Sequence, residues 1–274
     1  DQVVANQGED ADVLAVAMQN AGVCVHVITV RAGRILGSKN YFPRHRLAST
    51  ADELLSDFIS QSYLSEQGGD ALPAELIVSH ALDDVEALAE AMTFVAGRKV
   101  RLVNRVRGHR AKWLTLAATN ASEALGAHLA SKQNSKKRIA LLRDALGLES
   151  LPERIECFDI SHTGGEGTVG SCVVFDAEGA VKNDYRRFNI EGITAGDDYA
   201  ATEQVLTRRF ERLNKGEGKL PDILLIDGGK GQLTQAANVL ARFELDSLLL
   251  LGIAKGISRR AGQETLFLKE GERF

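Results

Sequence analysis

The chain has 274 residues, 44% of them hydrophobic and 26% charged. That is enough apolar material for one large domain or two of ordinary size, and it excludes a disordered tail or a coiled-coil rod. The 33 Lys and Arg against 37 Asp and Glu leave a formal charge of −4, a mildly acidic average that by itself argues against a nucleic-acid binder.

In chain order, residues 12–18, 23–30 and 34–42 read as three strands, the last two joined by the turn Arg31-Ala32-Gly33. Thr50 with Glu53 three residues on forms a capping-box start for a helix carrying Leu54, Leu55, Phe58 and Ile59. Leu72-Pro73 leads into a short buried strand, 75–78; residues 83–95 are helical and stop at Gly97; 100–103 is a strand. The second half repeats the order, with strands at 154–159, 169–175 and 180–190, a helix at 198–213, a strand at 223–226, a helix at 233–243 and a strand at 248–251. Leu72 and Leu220, Pro73 and Pro221, and Cys24 and Cys172 all lie 148 residues apart, which points to an internal duplication. Three meandering strands followed by helix, strand, helix, strand make an α/β, RNase H-like mixed sheet with crossover helices. It is expected twice, as residues 1–103 and 151–274, with a helical connector at 104–150 that breaks at Ser131-Lys132-Gln133-Asn134-Ser135.

Cys24, Cys157 and Cys172 sit in apolar stretches and not at metal-ligand spacing, as suits a reducing compartment. No run reaches the roughly eighteen apolar residues of a membrane span, and the N-terminus lacks signal-peptide regions. A cytoplasmic location and no membrane partner are expected. The chain begins at Asp1 without a methionine and ends on Arg273-Phe274, and it reads as a fragment of something longer.

Three aspartates of the second copy are candidates for chemistry. Asp159 follows the apolar residues of the first strand, Asp198 opens a helix in Gly196-Asp197-Asp198-Tyr199, and Asp227 ends a strand before Gly228-Gly229. Each alone reads as a turn or cap residue. Together, on strands about 4.8 Å apart, they form a cluster whose mutual repulsion asks for a cation. Hard oxygen donors select Mg²⁺ or Mn²⁺, and two such ions about 3.5–4 Å apart activate water and stabilise a leaving oxygen in phosphodiester hydrolysis. Asp197 reads as a charge favouring the helix dipole. In the first copy a shift of 148 sets Ser79 opposite Asp227, Thr50 opposite Asp198 and Ala11 opposite Asp159, with Asp12 and Asp52 nearby. Lacking a carboxylate at Ser79, that copy is expected to be catalytically dead, a packing partner or binding surface.

Local charge says more than the total. Residues 101–150 carry ten basic side chains against three acidic ones, and Arg105, Arg107, Arg110 and Lys112 are candidate phosphate contacts, with a solvated helix face as the bland alternative. Trp113 could stack on a base, although a lone tryptophan on an apolar helix face is more often core. Arg186 and Arg187 are consecutive on a strand and point to opposite faces, so only one can face the carboxylates. Lys230 can reach a phosphate beside the metals, and Gly228 and Gly229 allow close backbone approach. A Walker reading of Gly228-Gly229-Lys230-Gly231 is weak, because Gln232 stands where the magnesium-binding hydroxyl would be.

Glu156-Cys157-Phe158-Asp159-Ile160-Ser161-His162, Tyr185-Arg186-Arg187-Phe188-Asn189-Ile190, Gly196-Asp197-Asp198-Tyr199, Ile226-Asp227-Gly228-Gly229-Lys230-Gly231-Gln232-Leu233 and Gly252-Ile253-Ala254-Lys255-Gly256 resemble, in this order, the nuclease half of the UvrC family of bacterial nucleotide excision repair. The first 150 residues resemble the region between that family's UvrB-binding segment and its nuclease. The resemblance implies an RNase H-like endonuclease that cuts damaged double-stranded DNA on the 5′ side of a lesion, with a divalent metal held by Asp159, Asp198 and Asp227, and with UvrB and UvrA–UvrB damage recognition as partners. The family's further histidine, paired helix-hairpin-helix motifs and GIY-YIG nuclease are not found in this sequence, so activity of the fragment alone is expected to be impaired. A rival reading is a non-catalytic scaffold on the same fold that binds DNA or a partner. A recombination nuclease would share the aspartates but not the motif set.

Overall fold

The computed structural model describes residues 9–19, 22–43, 49–64, 72–163, 167–194, 196–254 and 265–268, the side chains of residues 162 and 163 excepted. The chain divides into two compact units, Asp1–Ala130 and Ser131–Phe274.

In the first unit β1 (Ala11–Gln19), β2 (Gly22–Arg31) and β3 (Arg34–Tyr41) form an antiparallel meander. Helix α1 (Ala51–Tyr63) then crosses to β4 (Glu75–Val78), parallel to β1, and α2 (Val85–Ala96) crosses to β5 (Arg101–Val103). The sheet order is β3-β2-β1-β4-β5. The capping box at Thr50 is present, with the Thr50 N–H donating to Glu53 Oε2 at 3.0 Å. Gly97 closes α2 at φ +63°, a left-handed cap that costs glycine nothing.

The second unit repeats the plan with β6 (Ile155–Thr163), β7 (Gly167–Asp176), β8 (Gly179–Ala180), β9 (Arg186–Ile190), α4 (Asp198–Asn214), β10 (Ile223–Asp227), α5 (Lys230–Arg242), β11 (Leu249–Ala254) and β12 (Thr265–Leu268). Its order is β12-β11-β10-β6-β7-β8, with β9 also on β7. The single strand expected over 180–190 is two strands, because a 3₁₀ turn at Lys182–Asp184 interrupts it. The segment 104–150 holds one helix, α3 (His109–Ala145), with no break at 131–135. What changes there is the partner of its apolar face. Trp113, Ala117, Ala121 and Leu125 pack on the first sheet, and Ile139 and Leu142 on the second.

Both sheets are covered on one face by their crossover helices. In the second unit Phe158, Cys172, Val174 and Phe188 meet Val205, Leu206 and Phe210 of α4 and Leu233 and Leu240 of α5. The register shows which repeat spacing is real. Asp12 lies beside Leu76, and Glu156 beside Leu224, so β4 and β10 match at the predicted 148, but β1 and β6 match four residues closer. Cys172 pairs with Phe158 whereas Cys24 pairs with Ala17, so the matched cysteine spacing is coincidental. The residue standing where Asp159 stands is Ala15, not Ala11, and Asp12 stands where Glu156 does.

Candidate functional site

The apolar strand β6 alternates faces. Glu156 and Phe158 point to the helices, and Ile155 belongs to the opposite layer against α3, which carries Cys157 and Asp159 to that second face as well. Asp159 is in register with Asp227 across the parallel pair β6–β10, so the two carboxylates stand side by side about 4.8 Å apart in backbone, Asp227 at the end of β10 and Asp159 midway along β6, which runs on to Thr163 and does not end at Asp159 as expected. Both are half-buried. Ser161 donates its hydroxyl to Asp159 Oδ2 at 2.8 Å. Burial first, and then Asp227 and Asp159, push the Cys157 thiol up to about 11.

Asp198 is the first residue of α4, behind the N-cap Asp197, whose carboxylate accepts the Ala200 N–H at 3.0 Å. Asp197 is therefore the cap, as its position suggested. A Cβ built on Gly231 would overlap the Tyr199 ring, so a glycine in the first turn of α5 lets the first turn of α4 lie against it. Among the described residues no group of three or more His, Cys, Asp or Glu side chains stands close enough to hold a metal ion. The residue types, two carboxylates in register and a third at a helix start, are the hard oxygen donors that a divalent cation takes.

Gly229 N–H donates to Gln232 Oε1 at 2.8 Å. Gln232, expected only to spoil a Walker motif, caps α5, and Gly228 has no room for a Cβ because that amide lies against it. Lys230 is exposed at the helix start. Arg187 and Arg186 pair with Ser171 and Cys172 respectively. Ser171 is in turn paired with Asp159, so one row across the sheet reads Arg187, Ser171, Asp159, Asp227. Arg186 lies on the other face and lines a cavity of about 150 Å³ with Arg154, Phe188 and Arg209.

Of the basic segment, Arg105, Arg107 and Lys112 are exposed and make no ion pair with a described residue. Arg110 is held by the buried Glu75, which Arg101 also approaches at 3.3 Å. Trp113 is core, 2% exposed, and meets His109 edge-on at 4.9 Å. His162's side chain and residues 255–256 of the last motif lie outside the described residues.

One group went unnoticed in the sequence. Glu156, fully buried, receives Arg209 through two hydrogen bonds of 2.9 and 2.6 Å and Arg154 through a third of 2.8 Å. The signal was an acid inside an apolar strand and an arginine at a core spacing of α4, after Val205 and Leu206. In the first unit Asp12 fills the same place, bound to Arg31 at 2.7 Å and to the Tyr63 hydroxyl at 2.8 Å. That contact and burial raise the Tyr63 hydroxyl well above its ordinary range.

No described helix is long and apolar enough to cross a membrane. Residues 143–274 match a family model described as the UvrC RNase H endonuclease domain, and residues 10–128 one described as the UvrC ribonuclease H-like domain. The chain is 53% identical over 261 residues to the UvrABC system protein C of Pseudomonas fluorescens strain Pf0-1, covering 95% of this chain and 43% of that protein. It is 51% identical over 269 residues to that of Pseudomonas putida strain F1, covering 98% and 44%. It thus spans less than half the length of the curated relatives it matches. Among solved structures, human ENDOV aligns at a TM-score of 0.32 and 19% identity, over 48% of this chain and 60% of that one. With both of its units matched in order by models of the same family, the chain belongs to the UvrC family.

Proposed function

We propose that the second unit is a divalent-metal-dependent DNA endonuclease that makes the 5′ incision near a lesion in nucleotide excision repair, in concert with UvrB after UvrA–UvrB damage recognition. The observation that carries the reading is the in-register pair Asp159 and Asp227 on neighbouring parallel strands, an arrangement that costs a fold repulsion and desolvation unless a cation is to be bound. Asp159, Asp227 and Asp198 would hold Mg²⁺ or Mn²⁺, which when bound supplies an activated water and charge neutralisation at the phosphate. The chain's own part is positional. The Ser161 hydroxyl orients Asp159, Asp198 would come from the first turn of α4, and the exposed Lys230 would offer a cation to the phosphate. Exposed Arg105, Arg107 and Lys112 would add sequence-independent contacts to the DNA backbone.

A non-catalytic scaffold is the competing reading. The absence among the described residues of a ready three-ligand group is the observation on its side. The test is nicking of a 5′-end-labelled damaged duplex by the full-length protein with UvrA, UvrB and Mn²⁺, against its Asp227→Asn variant. Loss of the 5′ nick is expected, and persistent 5′ nicking by the variant overturns the assignment.

A further inference from the structure

The two adjacent arginines of β9 divide between the faces of the sheet, and the duplicated unit gives each a counterpart. Arg187 shares a row with Ser171, Asp159 and Asp227. In the first unit the same row reads Asn40, His26, Ala15 and Ser79, because Asn40 pairs with His26, His26 with Ala15, and Ser79 directly follows the β4 residue Val78 that pairs with Leu14. Where the carboxylates are absent, so is the arginine. Arg186 is different: its counterpart is Lys39, so a cation is kept there whether or not carboxylates are present. Its guanidinium is turned to the backbone oxygens of Asn183 and Tyr185, at 2.9 and 2.8 Å.

Directly paired residues of neighbouring strands project to the same side, so the Arg187 side chain leaves the sheet on the face of Asp159 and Asp227. It is exposed there, two strands or about 9.6 Å from Asp159 along the row, with the small Ser171 between. An extended arginine spans most of that gap. DNA carries a phosphate about every 3.4 Å of axis along one strand, so a strand running along this row with one phosphate at the carboxylates would bring a nearby phosphate within reach of the guanidinium.

We propose that Arg187 is the residue of this pair that holds the DNA, gripping a backbone phosphate next to the one cut, while Arg186 serves the fold on the other face. The inference rests on the nuclease reading above and refines it to a side chain and a ligand group. A planar guanidinium suits phosphate through paired N–H donors.

The experiment compares Arg187→Ala, Arg187→Lys and Arg186→Ala in the full-length protein by two readouts. The first is single-turnover 5′ incision with UvrA, UvrB and Mn²⁺. The second is metal-free binding to duplex DNA over a series of salt concentrations, where one lost phosphate contact flattens the log–log slope by about 0.9. Arg187→Ala is expected to incise about tenfold more slowly than Arg186→Ala and to show the flatter slope, with Arg187→Lys recovering the slope. Equal effects of the two alanine variants, or a larger loss in Arg186→Ala, overturn the proposal. Asp227→Asn is run beside them: if it still nicks, the nuclease reading fails, whereas a dead Asp227→Asn beside an unaffected Arg187→Ala sinks only the present inference.

Discussion

The same face of the sheet meets opposite fates in the two units. In the first, α3 lies over it: Trp113, Ala117, Ala121 and Leu125 pack on Val13, Ala15 and Ile28, and the buried polar side chain of the row, His26, is 3% exposed and bonded to Asn40 and Asn120 at 2.6 and 3.2 Å. In the second, Ile139 and Leu142 reach only the start of the strands, over Ile155 and Ile223, and Asp159 and Asp227 further along keep partial access to solvent. A carboxylate pair under a packed helix would be desolvated without compensation. Covering the face and losing Asp from Ala15 and Ser79 are therefore one change seen twice. The comparison also shows what a duplicated sheet must keep, namely strand order and the buried acid, Asp12 or Glu156, beneath the central strand.

The comparison breaks most visibly at the carboxylates. Asp159→Asn or Asp227→Asn should slow incision more than about a hundredfold, beyond the loss expected for an outer partner of a metal ligand. Asp12→Asn combined with Asp52→Asn should leave incision intact wherever circular dichroism shows a folded chain. A folded double variant that no longer incises would restore a catalytic role to the first unit. Next comes the buried acid. Glu156→Ala takes the carboxylate from the buried Arg209, leaving Arg154 to Asp184, and should cost about 3–5 kcal/mol in urea unfolding. Asp12→Ala should cost about 1–3 kcal/mol, because Arg31 keeps 28% of its side-chain surface; an equal cost would deny that the two positions differ in burial.

The helical cover can be weighed in the same assay. Trp113→Ala should cost about 3–5 kcal/mol, against about 1 kcal/mol for the half-buried Leu142→Ala, and a reversed order would contradict the tighter cover of the first face. The smallest effect is on pH. The Cys172 thiol is pushed up to about 12 by burial and then by Glu156, from an ordinary 9.0. Its folded form keeps the proton that the unfolded form releases, so its contribution is whole below pH 9 and is lost as the pH climbs toward about 12. Cys172→Ala should flatten the fall in unfolding midpoint between pH 8 and 10, and an unchanged fall would show that the thiol takes no part in it.

The order of elements was legible because apolar runs, the Thr50–Glu53 box and the Leu-Pro pairs before β4 and β10 are local signals. The places of Asp227 at a strand end and Asp198 at a helix start were legible too, whereas Asp159, expected at the end of its strand, lies midway along β6. What stayed hidden depends on pairing. The cysteine match at 148 failed because the stretch between β1 and β4 differs by four residues from its counterpart, and no spacing count locates such a shift. The turn at Lys182–Asp184 sits in a sequence of ordinary strand composition. Residues 131–135 looked like a helix break because they carry no apolar face and only Lys132 and Gln133 are good helix formers, yet the packed apolar residues on either side, Leu125 and Ile139, hold the helix continuous. Glu156 was read as part of a motif and not as half of a buried ion pair, since its arginine lies fifty-three positions away.

That ion pair bears on how the chain finds its strand register. Glu156 and Asp159 are an odd number of residues apart on β6, so they face opposite sides. Slipping β6 by one residue against β7 and β10 would turn every side chain to the wrong side at once. Asp159 would be driven in among Phe158's neighbours, and Glu156 would leave the buried Arg209 without its carboxylate, while Arg154 would keep only Asp184. The apolar residues alone discriminate weakly between the two registers, because Ile155, Cys157 and Phe158 suit either layer. Glu156 does not: a single alignment delivers it to its arginines, and that alignment also points Asp159 outward. An acid buried on the face away from Asp159 thus favours the one pairing that keeps that carboxylate on its own face.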